Sequence, residues 1–188
     1  MIVADKVSKR FGEKEVLKDF SLEIEQGSSV CLFGESGIGK TTLIRLLLGL
    51  ILPDSGKITG VPQNCSAVFQ EDRLCESFTA VRNIQIATGA DKATALQALE
   101  ELGIGRDDAV NKPVSAFSGG MKRRVSIARA LIAPSDLLVL DEPFKGLDRE
   151  NLIRAAGFIV ERTKNKTLIM VSHSEEEIEL LRCKKIEM

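Results

Sequence analysis

The run Gly34-Glu35-Ser36-Gly37-Ile38-Gly39-Lys40-Thr41 fits the spacing G-x-x-x-x-G-K-S/T, and no other stretch restricts the possible folds so tightly. Its glycines let the backbone curl until several N–H groups converge on one concavity, a shape suited to an anion and strained for residues with a side chain. Ser28 to Phe33 before it reads as a buried strand, and Lys40 to Leu48 after it as a helix. Strand, loop and helix in that order are the context the motif requires. The helix N-terminus adds partial positive charge. Lys40 can bridge the β- and γ-phosphates of a nucleotide, the Thr41 hydroxyl can ligate Mg²⁺, and Thr42 can reach the α-phosphate.

The apolar run Leu137 to Leu140 has the length and composition of a strand buried on both faces of a parallel sheet, and it ends in Asp141-Glu142. Carboxylates at the carboxyl end of such a strand face the ligand crevice. Strand side chains alternate, so the two point differently: Asp141 is the metal candidate and Glu142 the candidate base for an attacking water. Between the two motifs, Ser118-Gly119-Gly120 is followed by Met121-Lys122-Arg123-Arg124 and the apolar-periodic Val125, Ile127, Ala128, Leu131 and Ile132. This reads as a capped helix opening on a glycine pair, which makes a second anion site. A single phosphate loop has no need of one. Either the second site binds an unrelated anion, or it serves a nucleotide held by another subunit.

With these residues in this order, nearly the whole chain resembles the ATP-binding cassette (ABC) ATPases. The resemblance implies an aromatic at Phe11 that stacks on adenine, a Walker A loop from Gly34 to Thr42, and a glutamine loop at Gln70 that contacts Mg²⁺ or the attacking water. It further implies the signature Ser118 to Gly120, Walker B at Asp141 with Glu142, a D-loop with Asp148 at the dimer interface, and a switch histidine at His173, the only histidine, on the γ-phosphate. The signature departs from the family at Phe117 and Met121, where leucine and glutamine are usual. Lys145 and Gly146 in the D-loop replace a small-residue run.

A formal net charge of −1 exerts no long-range pull toward nucleic acid, and the cluster Lys122-Arg123-Arg124 reads as a solvated helix face. The longest apolar stretch, Leu43 to Leu52, is broken by Arg45 and Gly49 and cannot span a bilayer, and the N-terminus lacks a signal's apolar core. Cys31, Cys65, Cys75 and Cys183 are scattered without C-x-x-C spacing and read as reduced thiols, with Cys31 a small core residue. A cytoplasmic chain is expected, with no zinc site.

The expected fold class is α/β: a P-loop NTPase core with a parallel sheet, an N-terminal antiparallel β portion and a small helical lobe, in one domain spanning 1–188. The antiparallel portion comprises Ile2 to Val7 and Val16 to Glu25, with Lys57 to Val61 added. The lobe spans about 71–116, where Leu96, Leu99 and Leu102 share one helix face and Gly103 and Gly105 end that helix. The core resumes with an Asn151 to Lys164 helix, a Thr167 to Val171 strand and a Glu175 to Arg182 helix. The chain then stops at Met188, which leaves no room for an appended regulatory domain, so regulation is expected from partners.

Mechanistically, the resemblance implies two such domains meeting head to tail as a homodimer, each ATP held between the phosphate loop of one and Ser118 to Gly120 of the other. The lead functional expectation is the ATP-hydrolysing subunit of a membrane transporter, peripheral on the cytoplasmic face and docked on an integral-membrane permease. VFQEDRL at 68–74 and DEPFKGLD at 141–148 look most like ATPases of bacterial importers for nitrate, sulfonate or taurine-like solutes. The alternatives are a soluble ABC ATPase working on DNA, ribosomes or cluster assembly, and a P-loop phosphotransferase. The second is opposed by the signature, glutamine loop and switch histidine.

Overall fold

Every strand of the central sheet obeys a strict alternation, and this divides the interior into two cores. A computed structural model describes residues 1–188. Five parallel strands lie in the order β5-β6-β7-β3-β8, where β3 is Ser29–Phe33, β5 Cys65–Val68, β6 Leu137–Asp141, β7 Thr167–Ser172 and β8 Lys184–Glu187. Val68, Leu138, Leu140, Leu168, Met170 and Cys31 face one core, and Val30, Leu32, Leu137, Val139, Ile169 and Val171 face the other. Side chains at successive positions of a strand point to opposite faces, so a strand covered on both sides must be apolar throughout. The all-buried β6 and β7 satisfy this rule.

The second core is closed by α1 (Lys40–Leu47) and a separate antiparallel sheet in the order β2-β1-β4. Its strands are β1 Ile2–Phe11, β2 Lys14–Ile24 and β4 Ser55–Thr59, longer at β1 than the pattern suggests. Their alternation is interrupted by register shifts, with Lys6 and Asp19 in left-handed conformations. The Ser21 hydroxyl accepts from the Lys6 N–H where the ladder is broken.

The first core joins the sheet to α2 (Ala80–Thr88), α3 (Lys92–Glu101), α4 (Arg106–Asn111), α5 (Gly119–Ile132), α6 (Arg149–Arg162) and α7 (Glu175–Leu181). Five of the chain's helices begin at side-chain caps: Thr79, Asp91, Ser118, Asp148 and Ser174 each accept from the backbone N–H three residues on. Gly103 turns the chain out of α3 at φ +72°, as expected. Gly105 does not end that helix. It sits in an extended conformation as the N-cap of α4.

Two further expectations are corrected. The Lys122-Arg123-Arg124 cluster is no solvated face: Arg123 and Arg124 are 4% and 8% exposed. Helix α5 runs between β5 and the helical lobe, so almost every side of it is covered. Arg124 caps the C-terminal end of α3, donating to the carbonyls of Leu102 at 2.7 Å and Gly103 at 3.1 Å, where a cation also meets the negative end of the helix dipole. The chain also adds β8 after its last helix, pairing beside β3.

Candidate active site

All five strands of the central sheet are parallel, so the segments that follow β3, β5, β6 and β7 emerge at one edge. Such an edge is where ligands bind in sheets of this kind. A cleft of about 250 Å³ opens there, lined by Ser36, Gly37, Gly39, Lys40, Thr41 and Thr42 after β3, by Gln70 after β5, by Glu142 after β6, and by Val16 of β2. Gly39 has φ +116°, and a Cβ there would lie 3.0 Å from the Val16 carbonyl oxygen. Both its conformation and its neighbours therefore demand glycine.

Lys40 is 8% exposed, and its ammonium donates to the carbonyls of Gly34 and Glu35 at 2.7 Å each. In this state the lysine satisfies itself on its own loop. Thr41 Oγ1 donates to Asp141 Oδ2 at 3.0 Å, while Asp141 Oδ1 is buried with no hydrogen-bond partner. Burial raises the Asp141 carboxyl above its ordinary range, against the Thr41 hydroxyl bond. An orphaned carboxylate oxygen beside a hydroxyl suits a hard cation such as Mg²⁺. No group of three His, Cys, Asp or Glu side chains gathers anywhere, so a cation here would complete its shell with neutral side-chain oxygens, phosphate and water.

Glu142 is half-buried and left-handed at φ 49°, with its N–H on the Val171 carbonyl at 3.0 Å. A glutamate in that region costs roughly 1–2 kcal/mol of backbone strain, so the sheet edge must hold it there. Its carboxylate lies 3.5 Å from Lys145 Nζ. The Gln70 side chain is exposed and has no hydrogen bond to the protein.

Several expected residues lie outside the cleft lining. Phe11 is 49% exposed at the β1–β2 turn, with Lys9 Nζ 5.8 Å from its ring centre. His173 is exposed just after β7 and makes no hydrogen bond. Gly34, Glu35 and Ile38 belong to the loop but do not line the cleft. Ser118 and Gly119 are exposed at the start of α5, and Asp148 is exposed with its carboxylate accepting from the Asn151 N–H at 2.9 Å. None of these three lines the cleft.

Residues 17–145 match the family described as ABC transporter. The chain belongs to that family. An aliphatic sulfonates import ATP-binding protein, SsuB 3 of Paraburkholderia xenovorans (strain LB400), is 39% identical over 176 residues, covering 91% of this chain and 70% of that protein. The zinc import ATP-binding protein ZnuC of Pseudomonas syringae pv. syringae (strain B728a) is 35% identical, covering 92% of this chain and 67% of that protein. The dimeric post-hydrolysis structure of the ATP-binding cassette MJ0796, bound to ADP and Pi, superposes with a TM-score of 0.86 at 25% identity, covering 100% of this chain and 94% of that one. This member of the ABC transporter family is an importer-type, ATP-binding and ATP-hydrolysing subunit that powers transport.

The residues that pattern reading missed are arginines. Arg123 and Arg129 of α5 grip the backbone of the glutamine loop, and only the crowding of α5 between sheet and lobe marks them. Val16 was equally silent, because its place in the cleft follows from how the antiparallel sheet leans on Gly39.

Proposed function

We propose that residues 1–188 form one ATP-binding domain, with a helical lobe at about 71–116, that drives a bacterial importer from the cytoplasmic face of the membrane. The observation that carries this reading is the convergence of Lys40, Thr41, Gln70 and Glu142 on one cleft, with Asp141 behind Thr41. Lys40 would leave the Gly34 and Glu35 carbonyls for the β- and γ-phosphates, and the loop N–H groups would take the β-phosphate. Thr41, Asp141 and Gln70 would hold Mg²⁺, which when bound supplies charge neutralisation at the phosphate oxygens. Glu142 would orient and deprotonate a water for in-line attack, and His173 would meet the γ-phosphate once the loop after β7 swings in. Phe11 offers a free ring face to the adenine.

Ser118 to Gly120 and Asp148 would serve a second copy. Two chains would face head to tail, each nucleotide sandwiched between one phosphate loop and the other's signature, as a homodimer that ATP closes and hydrolysis opens. The names of the sulfonate-importing relatives favour a permease for organic anions of that class as the membrane partner, with the solute chosen by the permease. No helix is long and apolar enough to cross a membrane, so the chain would be held there by docking.

Glu142→Gln is the test. The variant is expected to retain Mg-ATP, lose hydrolysis by at least 100-fold, and run as a dimer in size-exclusion chromatography. A variant that stays monomeric in excess Mg-ATP and hydrolyses at the wild-type rate would sink the reading. Stoichiometric recovery of a multi-span permease with the tagged protein from solubilised membranes tests the transport assignment, and recovery of only ribosomal or DNA-bound proteins would count for the soluble alternative.

A further inference from the structure

From Phe69 to Arg73, the backbone that follows β5 takes its side-chain hydrogen bonds from one helix, α5. Arg123 donates to the Phe69 carbonyl and to the Gln70 carbonyl, at 2.6 Å each. Arg129, about one and two-thirds turns on, donates to the carbonyls of Asp72 at 2.9 Å and Arg73 at 2.7 Å. Lys122 reaches Glu76 at 2.8 Å, and the Arg73 guanidinium lies over the Phe69 ring at 4.1 Å. The Asp72 carboxylate approaches Arg123 to 3.3 Å, yet that oxygen has no properly angled hydrogen-bond partner.

A guanidinium with 4% exposure is costly to bury, and here backbone carbonyls rather than a bidentate carboxylate are its main partners. Its rigid fork explains the choice of residue. Two parallel N–H donors fix two successive carbonyls at once, which a lysine ammonium cannot do with the same geometry. The N-terminus of the same helix carries Ser118, Gly119 and Gly120. One helix of 14 residues thus joins the segment expected to meet the opposite nucleotide to the segment bearing Gln70.

We propose that Arg123 is a positioning residue for hydrolysis, clamping the Phe69 and Gln70 carbonyls so that the Gln70 amide moves with the signature helix. Any displacement of α5 on engagement of a second copy is passed to the glutamine through two short bonds, and the fork fixes its direction. The proposal rests on the reading of Gln70 as a residue that contacts Mg²⁺ or the attacking water.

The experiment is a double-mutant cycle in the full chain, reading Mg-ATP hydrolysis together with affinity for a fluorescent ATP analogue. Gln70→Ala and Arg123→Met are each expected to lower kcat about 10- to 100-fold and leave analogue affinity within about twofold of wild type. The double variant should be no slower than the slower single one, and Arg123→Lys, which can reach one carbonyl, should recover part of the loss. If Gln70→Ala slows hydrolysis but Arg123→Met does not, or if the two losses multiply, the clamp is overturned while the reading of Gln70 stands. If Gln70→Ala leaves kcat unchanged, the reading of Gln70 fails and the clamp with it. Should Arg123→Met fail to fold, Arg123→Gln, whose amide can serve one carbonyl, decides by the same criteria.

Discussion

Lys145 stands 3.5 Å from the carboxylate proposed as the catalytic base, but its own side chain is 65% exposed. Ion pairs open to water contribute little, so Lys145→Ala is expected to change unfolding free energy by less than about 0.5 kcal/mol and kcat by less than about threefold. Steady-state hydrolysis and urea unfolding of the variant check both figures. Glu177 offers a pH test. Burial is the chief cause that lifts its carboxyl above the usual 4.5, opposed by the bond it accepts from the Ser172 hydroxyl. Folding therefore favours the protonated form: that contribution is complete below the unfolded pKa and is lost as pH rises through the folded one. Glu177→Gln, which never ionises, should flatten the decline in stability above pH 4.5, and an unchanged slope in urea titrations at several pH values would refute this. At this scale the phosphate-loop residues were legible because their chemistry is tied to fixed spacing. Arg123 was not, because the same three letters, Lys-Arg-Arg, describe a wet face or a dry one depending on what packs alongside.

The helices illustrate how much of an element its ends decide. Thr79 caps α2 by accepting the Arg82 N–H at 3.2 Å, and its backbone also bridges to Pro113. Thr79→Ala is expected to cost about 1 kcal/mol in chemical unfolding, with Thr79→Ser recovering most of it. A loss confined to a few tenths would mean that packing of Ala80, Val81 and Ile84 alone sets where α2 begins. The strands Leu137–Asp141 and Thr167–Ser172 were readable because being buried on both faces leaves a continuous apolar run. Strand β8, Lys184-Lys185-Ile186-Glu187, carries no such run: it is an edge strand whose place comes from pairing with β3. Gly105 shows the matching ambiguity, since a glycine between two helices can end the first or open the second.

At the scale of the whole molecule, ligand linkage gives a direct check on the cleft. Mg-ATP at about 100 times its dissociation constant should add about 2.7 kcal/mol to stability, roughly 5–10 °C in Tm for a chain of this size. Lys40→Ala should abolish that shift, measured by differential scanning fluorimetry, and persistence of the shift would place the nucleotide elsewhere. The fold as a whole was legible from the order of its motifs, whereas the division of the interior was not, because it depends on which face each strand residue meets. That division has a consequence for how the chain can change. Leu138 and Leu140 answer to one core, and Leu137 and Val139 to the other. Replacing any one of them disturbs a single core, but inserting one residue near the start of β6 would exchange every side chain between the two and swing Asp141 away from Thr41. Point substitution can therefore tune this sheet, while a single-residue change in its length would undo the packing and the site together.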